Sequence, residues 1–298
     1  MGVGVSISRA MGDNWLTLCL LVPIGFVAGI VNVLAGGGSF LTLPALMATG
    51  LPLPLANGTN RIAVVVQGLF ATAAYRSSGE LDGRLYRKLL PPLLLGALVG
   101  AWLATVIPPP SLRRVFAVLF LAMAGVLMLR KQKQARARAP HPLRHVALFF
   151  VGVYGGFIQA GVGLWILLSA SNLFGESTVR ANSVKLPLTL TFTVPALVLF
   201  AEAQLVALLP GTLLALGTVL GTFVGVRLSL KGGETLILRA VTLVLLVTGL
   251  QLLFVGTEVF VGGRRPGDSR SSSQPSDSSS QPSNSSSQAS DSSSRPRK

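Results

Sequence analysis

Two stretches about 125 residues apart repeat one order of features: a glycine-broken apolar segment, a short loop, and a small-polar run ending in a lone cation. The first leads from GFVAGIVNVLAGGGSFL to ANGTNR over residues 25–61, and the second from GVYGGFIQAGVGLWIL to RANSVK over residues 152–185. Such a duplication narrows the possible folds sharply. In a chain this apolar it predicts two related halves that meet around their interruptions, the plan of a transporter.

Half of the 298 residues (50%) are hydrophobic and 12% are charged. Apolar runs recur from Trp15 to Val255 wherever a soluble protein would carry a charged helix face. The expected fold class is therefore an all-α polytopic membrane protein, with the lipid bilayer as its solvent. The net charge of +15 does not point to nucleic acid, because the cations lie in short loops and in the polar C-terminal tail without interleaved aromatics. A positive-inside bias accounts for them.

Apolar segments are read at 15–34, 38–50, 62–75, 89–107, 112–129, 146–160, 162–174, 184–200, 204–226 and 236–255. A full helical span needs roughly 20 residues, so 38–50 and 162–174 are too short. Each follows a glycine cluster and is expected to be a half-helix or re-entrant piece, with about eight full transmembrane helices besides. The organisation expected is an N-terminal tail 1–14, a membrane repeat 15–130, a basic linker 131–145, a second repeat 146–256 and a disordered Ser-rich tail 257–298. The run from Trp15 continues without a convincing cleavage site and reads as a retained first segment, and the MGVGVS start matches an acylation pattern only by chance.

The linker KQKQARARAPHPLRH is the most basic connection and is placed in the cytoplasm. Counting two crossings back puts Arg76, Arg84, Arg87 and Lys88 on that side as well. Counting forward, Arg227 and Lys231 join them if residues 146–174 make two crossings, which makes the repeats inverted.

Within the duplication, Gly36, Gly37 and Gly38 match Gly161 and Gly163 as places where a helix can break and leave amide N–H groups free. Gly96 with Gly100, and Gly217 with Gly221 and Gly225, have instead the spacing of close helix packing. Downstream, ANGTNR aligns with RANSVK, so that Thr59 meets Ser183 and Arg61 meets Lys185. A hydroxyl two residues before a cation suits an oxyanion, and Asn57, Asn60 and Asn182 add neutral donors. Asn32 and Gln159 stand at matching places before the breaks, as ligands or as interhelical hydrogen-bond partners. The competing reading has Arg61 and Lys185 starting their helices and snorkelling to the headgroups.

All ten acidic residues fall outside the span interiors, which leaves no carboxylate relay for protons or cage for metal cations. Cys19 is the single cysteine, and His141 and His145 belong to the basic linker, so no metal site is expected. No HExxH, GxSxG or GxxxxGK[ST] motif occurs, and neither a cofactor nor an enzymatic activity is expected.

At GGGSF with the downstream Pro44, and at ANGTNR, the chain resembles the sulfite exporter TauE/SafE family, over roughly residues 16–256. The second break, AGVGLWIL, departs from the first in having Ser169 where Pro44 would match. The resemblance implies a multi-pass inner-membrane protein with pseudo-symmetric halves around a central site. It also implies transport of a small inorganic or organic sulfur anion, sulfite or an organosulfonate. The alternatives are an anion channel, an ion-coupled importer, and, from another class, a membrane scaffold or an intramembrane enzyme of unfamiliar type.

Overall fold

A backbone surrounded by lipid has to satisfy its own hydrogen bonds, so apolar runs of this length become helices. The computed structural model describes residues 15–129, 143–176 and 178–229, and all the regular structure among them is helical. In chain order these are α1 (Trp15–Ala35), α2 (Ser39–Ala48), α3 (Leu53–Ser77), α4 (Gly83–Val106), α5 (Pro109–Leu129), α6 (Arg144–Phe157), α7 (Val162–Phe174), α8 (Thr178–Glu202) and α9 (Leu208–Ser229). The described residues fall in one compact unit, residues 1–261. The expected segment 236–255, the two tails and linker residues 131–142 lie outside them.

Among the described residues, four stretches are long and apolar enough to cross a membrane: Trp15–Ala35, Gly83–Val106, Arg180–Glu202 and Leu208–Leu228. The two short apolar helices, Ser39–Ala48 and Val162–Phe174, fall where the glycine clusters led one to expect. The helix starts at 62 and 184 are corrected: α3 begins at Leu53 and α8 at Thr178, taking both polar runs inside their helices. Pro54 in the first turn of α3 suits that earlier start. The polar side chains can lie inside because neighbouring helices, not water, satisfy them.

Helix directions follow from which residues touch. Gly25 meets Gly217, and Gly29 meets Thr218 and Gly221, so α1 and α9 run the same way. Likewise Gly96 meets Phe149 and Gly100 meets Val153, so α4 and α6 run the same way. In contrast, Gly58 lies by Phe200, Gly68 by Leu190 and Tyr75 by Asn182, which makes α3 and α8 antiparallel. A Cβ on Gly29 would sit 2.4 Å from the Thr218 carbonyl oxygen, so the α1–α9 approach is backbone on backbone. Large apolar side chains on the outer faces, among them Trp15, Leu95, Phe150, Val198 and Leu209, are exposed and suit a lipid surround.

On the face that carries the α3–α4 connection, Asp82 caps α4 by accepting from the Arg84 and Leu85 N–H groups, at 3.0 and 2.9 Å. The same carboxylate pairs with Arg180 of α8, which also reaches Glu176 at 2.8 Å. The Leu85 N–H and the Arg180 guanidinium hold the Asp82 carboxyl below the usual carboxylate range. A depressed carboxylate stabilises the fold at neutral pH and loses that contribution as pH falls through its folded-state value. Asp82→Asn is accordingly expected to lower the melting temperature of detergent-solubilised protein slightly from pH 5 to 8, and the deficit should shrink below about pH 4.

Candidate functional site

The two interruptions are built differently and face each other. At the first, Gly36 adopts a left-handed φ of 74° and its N–H closes the end of α1 on the Asn32 carbonyl at 2.9 Å. The chain then folds back so that Gly38 lies against Ala28 and Asn32. At the second, Gln159 and Gly161 take φ values of 67° and 74° between α6 and α7. A left-handed glutamine costs roughly 1–2 kcal/mol. It is held by its side chain, which accepts from Arg61 Nη1 at 2.6 Å and donates from Nε2 to Thr193 Oγ1 at 2.6 Å.

The breaks abut with nothing between them. A Cβ on Gly36 would fall 2.5 Å from the Leu164 nitrogen and 2.9 Å from the Gly163 Cα, while the Phe40 ring covers Gly161. The N–H groups of Gly37, Gly38, Gly161 and Gly163 have no acceptor among the described residues. The expected donor role of Gly36 is corrected, because its N–H is already used within the turn.

Arg61 and Lys185 are both 0% exposed and lie well inside their helices, so the snorkelling alternative does not describe them. Each reaches the break on the other side of the duplication. Lys185 Nζ donates to the Val33 carbonyl near the end of α1 at 2.8 Å. Arg61 donates from Nη2 to the Gly156 carbonyl at the end of α6, and its guanidinium lies 4.3 Å over the Phe200 ring. Carbonyl ends of helices are negative poles, so both cations sit where a helix dipole favours them. The Arg61 Nε–H is buried with no acceptor. Buried charged side chains among the described residues are these two cations, with no buried carboxylate to match them.

The remaining predicted residues divide between the breaks. Asn60 donates to Ser39 Oγ at 3.1 Å and accepts from Thr42 Oγ1 at 2.6 Å, and Asn32 donates to Gln67 Oε1 at 2.7 Å, all beside the first break. Asn57 donates to the Phe157 carbonyl at 2.8 Å beside the second, and its own Oδ1 is buried without a donor. Thr59 lies apart and accepts from the Ala207 N–H at 2.9 Å. Ser183 bonds back to the Arg180 carbonyl and Asn182 reaches the Tyr75 hydroxyl, so neither is brought to a break by those bonds.

Sequence reasoning missed Thr42, Gln67, Thr193 and Thr218, all buried. Their signal was helical spacing: Gln67 is one heptad beyond Asn60, and Thr189 and Thr193 follow Lys185 at intervals of four on one helix face. Among the described residues no three His, Cys, Asp or Glu side chains gather as metal ligands do.

Broken helices meeting at buried charge within an apolar bundle define a multi-pass membrane protein of the transporter class. The chain belongs to the sulfite exporter TauE/SafE family, which it matches over residues 21–252. It is 29% identical over 231 residues to the probable membrane transporter protein ORF9 of a Sinorhizobium species, covering 74% of this chain and 86% of that one. It is 27% identical over 232 residues to a probable membrane transporter protein of Haemophilus influenzae, covering 76% and 90%. Similarity to the probable membrane transporter protein YfcA of Escherichia coli K12 is 27% over 226 residues, covering 74% and 84%. No solved structure matches the chain.

Proposed function

We propose that the chain is a secondary transporter of a small sulfur oxyanion, sulfite or an organosulfonate, working in the inner membrane by alternating access between inverted repeats 15–130 and 146–256. The observation that carries the anion reading is that the buried charges among the described residues are two cations and no carboxylate, one of the cations with an uncommitted Nε–H. A cation at the bilayer centre costs about 3 kcal/mol or more, a cost tolerated where it serves a solute. The family name supports sulfur as the anion's chemistry. Support for the repeats comes from packing: α1, the first helix of one half, lies along α9, the fourth of the other, and α6 lies along α4 in the same relation. The antiparallel α3 and α8 are the third helices of the two halves, as an axis in the membrane plane requires. On this reading about eight helices cross the bilayer.

In the closed arrangement each cation is occupied by a carbonyl end of the opposite break. An entering oxyanion competes for Arg61 and Lys185 and draws on the free N–H groups of Gly37, Gly38, Gly161 and Gly163, with Asn57, Asn60 and Gln159 orienting its oxygens. That exchange weakens the bonds tying one half to the other, which lets the halves rock. Export is driven by a negative-inside potential at about 2.3 kcal/mol per charge per 100 mV.

Lys185→Met keeps the apolar stem against Gly163 and removes the charge. In proteoliposomes it is expected to cut sulfite flux at least tenfold while the protein still elutes as a folded species. Equal flux in wild type and variant, or none in the wild type, sinks the reading. Trans-stimulation of labelled sulfite by unlabelled sulfite separates a carrier from a channel.

A further inference from the structure

Between α1, α2, α3 and α9 the structure leaves a cavity of about 10 Å³, whose polar lining is Asn32, Ser39, Thr42, Asn60, Gln67 and Thr218. That volume suits one water-sized occupant. Among the described residues, no charged side chain lines it. The hydroxyl protons of two of its residues are committed elsewhere: Thr42 Oγ1 donates to Asn60 Oδ1 at 2.6 Å and Thr218 Oγ1 donates to the Ala215 carbonyl at 3.0 Å. Both oxygens therefore have lone pairs, not protons, left for an occupant. Asn32 spends its Nδ2 on Gln67, and its Oδ1 accepts no hydrogen bond from the described residues.

Six side-chain oxygens from these residues, gathered where a membrane helix breaks, can turn lone pairs toward a hard cation stripped of water. We propose that this cavity binds a dehydrated alkali cation, sodium, which is carried together with the anion. The inference rests on the transporter reading above and makes the protein a cation-coupled carrier. Thr218 comes from α9 and the other five residues from α1, α2 and α3, so an ion here joins elements from both sides of the linker.

Lys185 is bonded to Val33, the residue next to Asn32. Its charge opposes a second cation nearby until an anion is present, so each solute strengthens binding of the other, as linkage requires.

The test is the melting temperature of the purified full chain in sodium, potassium and choline chloride at equal ionic strength, with and without sulfite. Sodium is expected to raise it above choline, and sulfite to enlarge the sodium effect. Thr218→Val removes one oxygen at nearly constant shape and should raise the sodium concentration for half effect by about tenfold, whereas Thr218→Ser should stay near wild type. Equal melting in sodium and choline overturns the cation site, as does a Thr218→Val protein with an unaltered sodium response. The anion reading is judged separately, by whether sulfite shifts melting in choline or drives flux.

Discussion

Arg61→Ala is expected to bring sulfite flux in proteoliposomes down to that of protein-free vesicles and to lower stability by about 3–5 kcal/mol. The two effects have one origin. The guanidinium binds Gln159 Oε1 and the Gly156 carbonyl at once, and its loss strands two buried acceptors beside a left-handed glutamine. Arg61→Lys keeps the charge but not the fork, so it should recover part of the stability and little of the flux. Flux and thermal melting measured on the same preparation decide the matter. Wild-type flux from Arg61→Ala protein would remove Arg61 from any part in transport.

A second large effect is expected at the contact of the two breaks. Gly36→Ala places a methyl 2.5 Å from the Leu164 nitrogen, at a φ of 74° that alanine resists. Strain and overpacking together amount to about 3 kcal/mol or more. The neighbour is backbone, so nothing can swing aside. Size-exclusion chromatography in detergent should show loss of the folded species. Gly125→Ala is the control, because its added Cβ meets nothing within 4 Å. Similar elution of the two variants would mean that the breaks are less closely held than described.

Much of this was legible in the sequence. Segments 38–50 and 162–174 were too short to span, and their glycine neighbours marked the turns that Gly36 and Gly161 make. The scarcity of acidic residues in apolar segments made Arg61 and Lys185 stand out before their burial was known. The helix starts were not legible. A run such as Asn57-Gly58-Thr59-Asn60 has the composition of a loop, and only partners such as Phe157, Phe200, Ala207 and Ser39, from elsewhere in the chain, let it lie within a helix. Nor could the sequence say that each cation serves the opposite break. That depends on pairing across more than 90 residues, which local spacing does not encode. The threonines were overlooked because a hydroxyl in an apolar run looks like a tolerated surface residue until a helix face is drawn.

The seating of α1 along α9 has a consequence for how the chain is made. α1 leaves the ribosome with its Gly25–Gly29 stripe meant for a partner whose residues are synthesised nearly 200 positions later. Until then that groove has only lipid or a chaperone to cover it. Assembly of this pair must therefore wait on late synthesis, so an early stop or a stalled nascent chain leaves α1 orphaned, a natural signal for membrane quality control.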